Sequence, residues 1–235
     1  MGGDAGSPQI VPTVATRRVR VSKLPAAEAP GSRVARRKET TKRRLLEVAR
    51  QLFSEKGIYW ATVEDITEMA DIGKGTFYKH FNSKETILRV LLEEGLGDVL
   101  AETERAILGI SSGPKLLSAV IGARVDYFLG HPDSLLMFHQ IRGLMQLQVE
   151  AAKELRSVYD AHLRRLAQLL RPAVGDGDSN KARDVATAVA AYTSGLLTYH
   201  LLFEGIERIT RRRESIVQAL DQSLQVFLKS AIRSR

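Results

Sequence analysis

The sequence predicts an all-α protein, and three observations carry that prediction. Apolar residues recur at helical spacing from Lys38 onward. Breaks rich in glycine, proline and polar residues at 109–114, 130–133 and 172–180 cut the pattern into helix-length pieces. The one strand-like alternation, Arg18-Val19-Arg20-Val21, is too short to count. The expected architecture is about nine helices, with a small N-terminal three-helix unit followed by a larger helical domain.

Composition narrows the class. The chain has 235 residues, 44% hydrophobic and 26% charged, enough for one or two domains with a sizeable core and too apolar for a disordered bulk. No apolar run approaches the roughly 18 residues that cross a bilayer, so no membrane partner is expected. Cysteine is absent, which excludes a disulfide scaffold, a thiol nucleophile and a cysteine zinc site. That fits a reducing compartment, and the cytoplasm is the expected location.

The net charge of +8 is unevenly spread. Residues 1–37 hold seven bases (Arg17, Arg18, Arg20, Lys23, Arg33, Arg36, Arg37) against two acids, Asp4 and Glu28. They also hold four of the seven prolines and no aromatic residue, too little apolar surface to offset the entropy of ordering. Residues 1–37 therefore read as a flexible basic tail, suited either to phosphate contacts or to solubility.

Residues 38–94 form the next unit, with ten bases and ten acids. Leu45, Leu46, Ala49, Leu52 and Phe53 mark one buried face of a first helix, and Gly57 stops it. Thr62 is placed to cap a second helix, with Asp65 at the third helical position to complete a capping box. That helix is expected to bury Ile66, Met69 and Ala70. Asp71-Ile72-Gly73 then makes a three-residue turn, and Gly73 can cap a third helix headed by Lys74.

Two short helices joined by a tight glycine-bearing turn are a helix-turn-helix, here spanning 62–81, and its second helix is built to enter the DNA major groove. At 100° per residue Phe77 and Phe81 share the side that anchors this helix to the core. Gly75, Thr76 and Lys79 face away, with Tyr78 and His80 on the flanks. Gly75 lets the backbone approach DNA, Thr76 can bond a base edge, and Tyr78, Lys79 and His80 suit phosphate oxygens, with Lys74 at the helix start a further candidate DNA contact. Ser83 caps a further helix whose first-turn amides, with Lys84, form an anion site suited to a phosphate.

Residues 41–94 resemble the DNA-binding domain of TetR-type bacterial transcriptional regulators. The likeness rests on Leu45-Leu46, Ala49, Leu52-Phe53 and Gly57, then Thr62-Val63, Ile66 and Ala70, then Gly75-Thr76-Phe77-Tyr78, His80-Phe81 and Lys84-Glu85. The resemblance implies DNA contacts, mostly to its backbone, from Thr62, Thr76, Tyr78, His80 and Lys84. It departs at Gly73, where the family often has Ser or Thr, and at Asp71, where it often has Gly. Both departures bear on operator choice.

Residues 95–235 match that family only in length and helical character. The resemblance implies that such a domain dimerises and often holds a cavity for a small inducer. Met137, Phe138, His139, Met145, Tyr159, Tyr192, Tyr199 and Phe203 are candidate cavity residues, and Arg124 and Arg142 are suited to an anionic ligand. Two long amphipathic helices close the chain, about Lys181 to Glu204 and about Arg212 to Lys229, with Gly205 between them. Paired with a second copy they would form a four-helix interface, which makes Val189, Leu196, His200, Phe203, Leu220, Leu224 and Phe227 the candidate dimer residues.

The reading is a homodimeric repressor that binds a palindromic double-stranded operator, its recognition helices about 34–36 Å apart, and is released by a small-molecule inducer. No cofactor or metal is expected, because no two of the five histidines stand at i, i+3 or i+4. Two rival readings stand beside it. An architectural DNA-coating protein would favour broad basic surfaces, against the near-neutral 38–94. A hydrolase could be built from His131, Asp133, Ser134 and His139, but no Gly-x-Ser-x-Gly elbow is present.

Overall fold

The computed structural model describes residues 30–111, 113–147, 149–175 and 179–233. The chain divides into a unit of residues 1–38 and a unit of residues 39–235. Most of the expected basic tail lies outside the described residues. Its last part is helical, because α1 (Pro30–Glu55) begins at Pro30 rather than at Lys38. Proline is favoured at a helix's first position, and the Ala-, Arg- and Lys-rich stretch that follows consists largely of good helix formers.

In the larger unit, α1 leads into α2 (Val63–Met69), α3 (Lys74–Tyr78) and α4 (Lys84–Ala106). These elements close around Leu45, Ala49, Phe53, Ile66, Phe77 and Leu91, all fully buried. Met69 departs from expectation: it is 42% exposed, and Thr67 is buried in its place with its hydroxyl donating to the Glu64 carbonyl at 3.0 Å. The α2 helix is only seven residues long, so its buried stripe is confined to the side carrying Ile66 and Ala70.

The expected boundary between residues 94 and 95 falls inside α4. That helix runs unbroken for 23 residues and buries Leu91, Leu92, Gly95, Leu96 and Val99 across the boundary. Around it pack α5 (Gly113–Gly130), α6 (Pro132–Leu144), α7 (Glu150–Val174) and α8 (Ser179–Glu204), followed by α9 (Ile206–Arg211) and α10 (Arg213–Arg233). Ten helices are thus present among the described residues, the addition being α9, a single turn and a half after Gly205. The most extensive packing joins α7 to α8 and to α4, with α5 against α4 and α10.

Close approach constrains one position in this core. A Cβ on Gly95 would stand 2.8 Å from Cζ of the buried Phe138 ring, so a side chain at 95 would force that ring to move.

The helix α8 has two apolar faces. Val185, Ala186, Val189 and Leu197 are buried inside the subunit, while Tyr192, Tyr199, Leu202 and Phe203 point outward. That double apolar character gives Asn180–Glu204 the length and composition of a membrane-crossing helix, contrary to the expectation from apolar runs. Its inner face is nevertheless packed against α5, α6, α7 and α10.

Candidate nucleic-acid interface

The helix-turn-helix is assembled by local hydrogen bonds that the residue order dictates. Thr62 Oγ1 accepts the Asp65 amide at 3.1 Å, and Asp65 Oδ2 accepts the Thr62 amide at 2.8 Å, which closes the capping box. Lys56 Nζ adds a 2.8 Å ion pair to Asp65. Together the lysine and the Thr62 donors hold the Asp65 carboxyl down to about 2.

The turn after α2 is a Schellman motif. The Asp71 amide donates to the Glu68 carbonyl and the Ile72 amide to the Thr67 carbonyl, both at 3.0 Å. The motif requires a left-handed residue, and Asp71 supplies it at φ +52°, the one positive φ outside glycine among the described residues. The position where the resemblance implies glycine is therefore the position that needs a left-handed backbone. Gly73 caps α3 through its extended backbone alone, without a side-chain bond.

Phe77 and Phe81 are buried, their ring centroids 5.9 Å apart, and they seat α3 on the core. Gly75 and Lys79 are exposed, Thr76 is half-buried, and Tyr78 is 54% exposed with its ring edge-on to Phe77. His80 is half-buried beside Phe81. The structure thus brings Gly75, Thr76, Tyr78 and Lys79 onto one outward surface.

Three of the predicted DNA-contact side chains are engaged elsewhere. Thr62 spends its hydroxyl in the capping box. Lys74 Nζ pairs with Glu64, which raises the lysine's proton affinity and lowers that of the glutamate. Lys84 Nζ donates to the carbonyls of Ile58 and Ala61, both at 2.8 Å, so it staples the loop before α2 to the start of α4. Ser83 does cap α4, accepting the Thr86 amide at 3.2 Å.

The contacts that join this reader to the rest of the subunit carry no local sequence signal. Gln140 on α6 accepts the Ile58 amide at 2.7 Å and donates to the Phe53 carbonyl at 3.3 Å. Asp133, one helical face-repeat earlier, accepts the Ser54 hydroxyl at 2.8 Å. Both partners lie at the end of α1, where Gly57 turns the chain at φ +85°. Of the rival nucleophilic set, Asp133 accepts from Ser54, His131 stacks on Tyr127 at 4.4 Å, Ser134 is buried and His139 is exposed.

The opposite side of α6 faces a cavity of about 140 Å³, lined among others by Phe138, Arg142, Tyr159, Arg124 and His162. Of the predicted cavity residues, Phe138 and Tyr159 reach it. Met137 is buried in the core, Met145 caps the end of α6 away from the lining, His139 is exposed, and Tyr192, Tyr199 and Phe203 point outward from α8. The helical period placed these residues near the right elements but could not tell which side of each element faces inward.

The predicted dimer residues divide in the same way. Val189, Leu220 and Leu224 are consumed by the subunit's own core, and His200 binds Glu204 at 2.6 Å on its own helix. Leu196 and Phe227 are half-buried, and Phe203 is 80% exposed. With Tyr192 and Tyr199, which is 65% exposed, it forms an outward aromatic stripe, Tyr199 and Phe203 lying stacked at 6.3 Å.

Residues 45–91 match the family described as bacterial regulatory proteins, tetR family. The chain is 26% identical over 182 residues to the HTH-type transcriptional regulator UidR of Escherichia coli, covering 77% of this chain and 90% of that one. Its fold is similar to that of PfmR, a TetR family transcriptional regulator from Thermus thermophilus, with a TM-score of 0.54 at 23% identity over 82% of this chain and 95% of the other. It is similar also to the regulator FadR of Bacillus subtilis in complex with stearoyl-CoA, at TM-score 0.60 and 19% identity over 75% and 96% of the two chains. A capped helix-turn-helix leading into a helical second domain thus coincides at residues 45–91 with the DNA-binding segment described as bacterial regulatory proteins, tetR family, and the chain as a whole shares the fold of such regulators.

Proposed function

We propose that the protein is a homodimeric repressor, acting in the cytoplasm, whose residues 38–94 bind a palindromic operator and whose residues 95–235 dimerise and take up a small inducer. The observation that carries this reading is the outward surface of α3. Gly75, Tyr78 and Lys79 stand clear, with Thr76 half-exposed beside them, on a helix locked from behind by Phe77 and Phe81. Such a short, rigid, polar reader fits base edges and phosphates in a major groove. Thr62, Lys74, His80 and Lys84 flank it, with Lys84 acting by holding the loop.

The inducer's effect travels through α6. One side of that helix presents Phe138 and Arg142 to the cavity, and the other grips the end of α1 through Gln140 and Asp133. A ligand that prefers one placement of α6 therefore biases the placement of α3, and operator affinity falls by its differential affinity for the two states. The outward stripe Tyr192, Tyr199 and Phe203 supplies the surface that a second copy covers.

Selection of bound fragments from bacterial genomic DNA at physiological salt tests the reading. One enriched inverted repeat is the expected result. Binding without a shared sequence would replace it with the DNA-coating reading, and no binding would overturn it.

A further inference from the structure

The cavity behind α6 contains cationic charge that the subunit does not neutralise. Arg124 on α5 is only 2% exposed, yet among the described residues no carboxylate pairs with it. Its Nε donates to Thr193 Oγ1 at 3.2 Å, its Nη1 lies 3.4 Å from His162 Nε2, and its guanidinium sits 5.8 Å from the centre of the Phe128 ring. Arg142 enters the same cavity from α6 and donates to Ser194 Oγ at 2.7 Å. No acidic side chain is among the lining residues.

The neutral neighbours cannot substitute for a counter-ion. Burial and the charge of Arg124 push His162 down to about 3, so its ring is uncharged at neutral pH. Burial pushes Tyr159 up to about 12, so its phenol keeps its proton and remains a donor. Burial and the nearby Arg142 bring Arg124 itself down to about 10, which still leaves it charged. A charge held out of water without an ionic partner is costly, and chains retain one where a ligand completes it.

We propose that this cavity binds a small organic carboxylate, its head held by Arg124 and Arg142 and its apolar body packed against Phe128, Phe138 and Leu163. Guanidinium groups match a carboxylate through paired N–H donors. The volume, about 140 Å³, is below the usual range of ligand clefts and matches the body of a short acid. The assignment rests on the inducer-binding reading above and specifies its chemistry.

Calorimetry on the full-length, DNA-free protein at pH 7 tests it, with benzoate and hexanoate as probes, benzamide and hexanamide as uncharged counterparts, and inorganic phosphate as a bare anion. At least one carboxylate is expected to bind about tenfold or more tighter than its amide and than phosphate. Arg124→Met and Arg142→Met are each expected to abolish that preference. Without ligand, Arg124→Met is expected to melt at a higher temperature than the parent, because it removes an uncompensated charge. Equal binding of acids and amides, no binding of any acid, tightest binding of phosphate, or a lower melting temperature for a folded Arg124→Met would each overturn the assignment. If Arg124→Met does not fold, Arg142→Met and the acid–amide comparison decide. Operator binding is measured separately: carboxylate binding that leaves operator affinity unchanged refutes the inducer reading and not the cavity's chemistry.

Discussion

Gln140 and Ile58 stand 82 positions apart in sequence and are joined by a 2.7 Å hydrogen bond, from the Ile58 amide to Gln140 Oε1. Ile58 is buried, so this amide has no water to turn to. The bond fastens the loop that precedes the reader to the helix that walls the cavity. Lys84 fastens the same loop from the other side.

Gln140→Leu is accordingly expected to destabilise the subunit by about 1–3 kcal/mol, the penalty of an unsatisfied buried amide. In urea unfolding the midpoint falls. In operator titrations the parent's response to an inducing ligand shrinks, while ligand affinity in the cavity is kept. An unchanged response would remove Gln140 from the coupling.

Lys79 has no ionic partner among the described residues, whereas Lys74 is held by Glu64. Lys79→Ala is therefore expected to weaken binding to all sequences alike and to flatten the salt dependence by about one counterion. Lys74→Ala should change the salt slope less, and Glu64→Gln should tighten operator binding by releasing Lys74. Fluorescence anisotropy across a salt series reads all three.

The left-handed Asp71, at φ +52°, gives a sharper stability test. Asp71→Ala is expected to cost about 1 kcal/mol, because a Cβ without a polar partner disfavours that conformation. Asp71→Gly should cost nothing measurable. Equal losses in the two variants would deny the conformational account.

His162 makes stability depend on pH. Its folded value, near 3, lies far below the ordinary imidazole value of 6.5, so the unfolded chain binds the extra proton between them. Stability from this residue is complete above pH 6.5 and is lost as pH falls toward 3, with a slope of up to about 1.4 kcal/mol per pH unit. His162→Leu is expected to flatten the melting profile in that window. A profile unchanged by the substitution would mean the ring is protonated in the fold.

Phe203→Glu is expected to leave the subunit folded and to convert dimer to monomer in sedimentation. Leu220→Glu should instead unfold the chain, because it puts a charge into the core. A dimeric Phe203→Glu would move the interface to another surface.

The helix-turn-helix was legible because its signals are local. Thr62 reaches Asp65 three positions on, Ser83 reaches Thr86, and Phe77 lies four positions from Phe81, so each bond follows from residue order alone. The second domain was less legible. In α8 apolar residues occupy both faces, and only the packing of α5, α7 and α10 decides that Val189 turns in and Tyr199 turns out. Arg124 stands out in the sequence as a base suited to an anionic ligand, but nothing adjacent in sequence announces that α7 and α8 close over it. The clasp of Ser54 by Asp133 spans 79 positions and has no periodic signature. The bonds from Lys84 to the Ile58 and Ala61 carbonyls span 26 and 23 positions and have no local signature either.

If a second copy covers the aromatic stripe on α8, as proposed, occupancy of DNA is tied to abundance. If two readers act only when joined, paired molecules grow as the square of chain number while pairs are scarce, and linearly once most chains are paired. A cell holding few copies would then feel each halving of synthesis twice over at the operator. On the proposed dimer, the strength with which Tyr192, Tyr199 and Phe203 hold a second subunit would fix how many molecules keep the operator occupied.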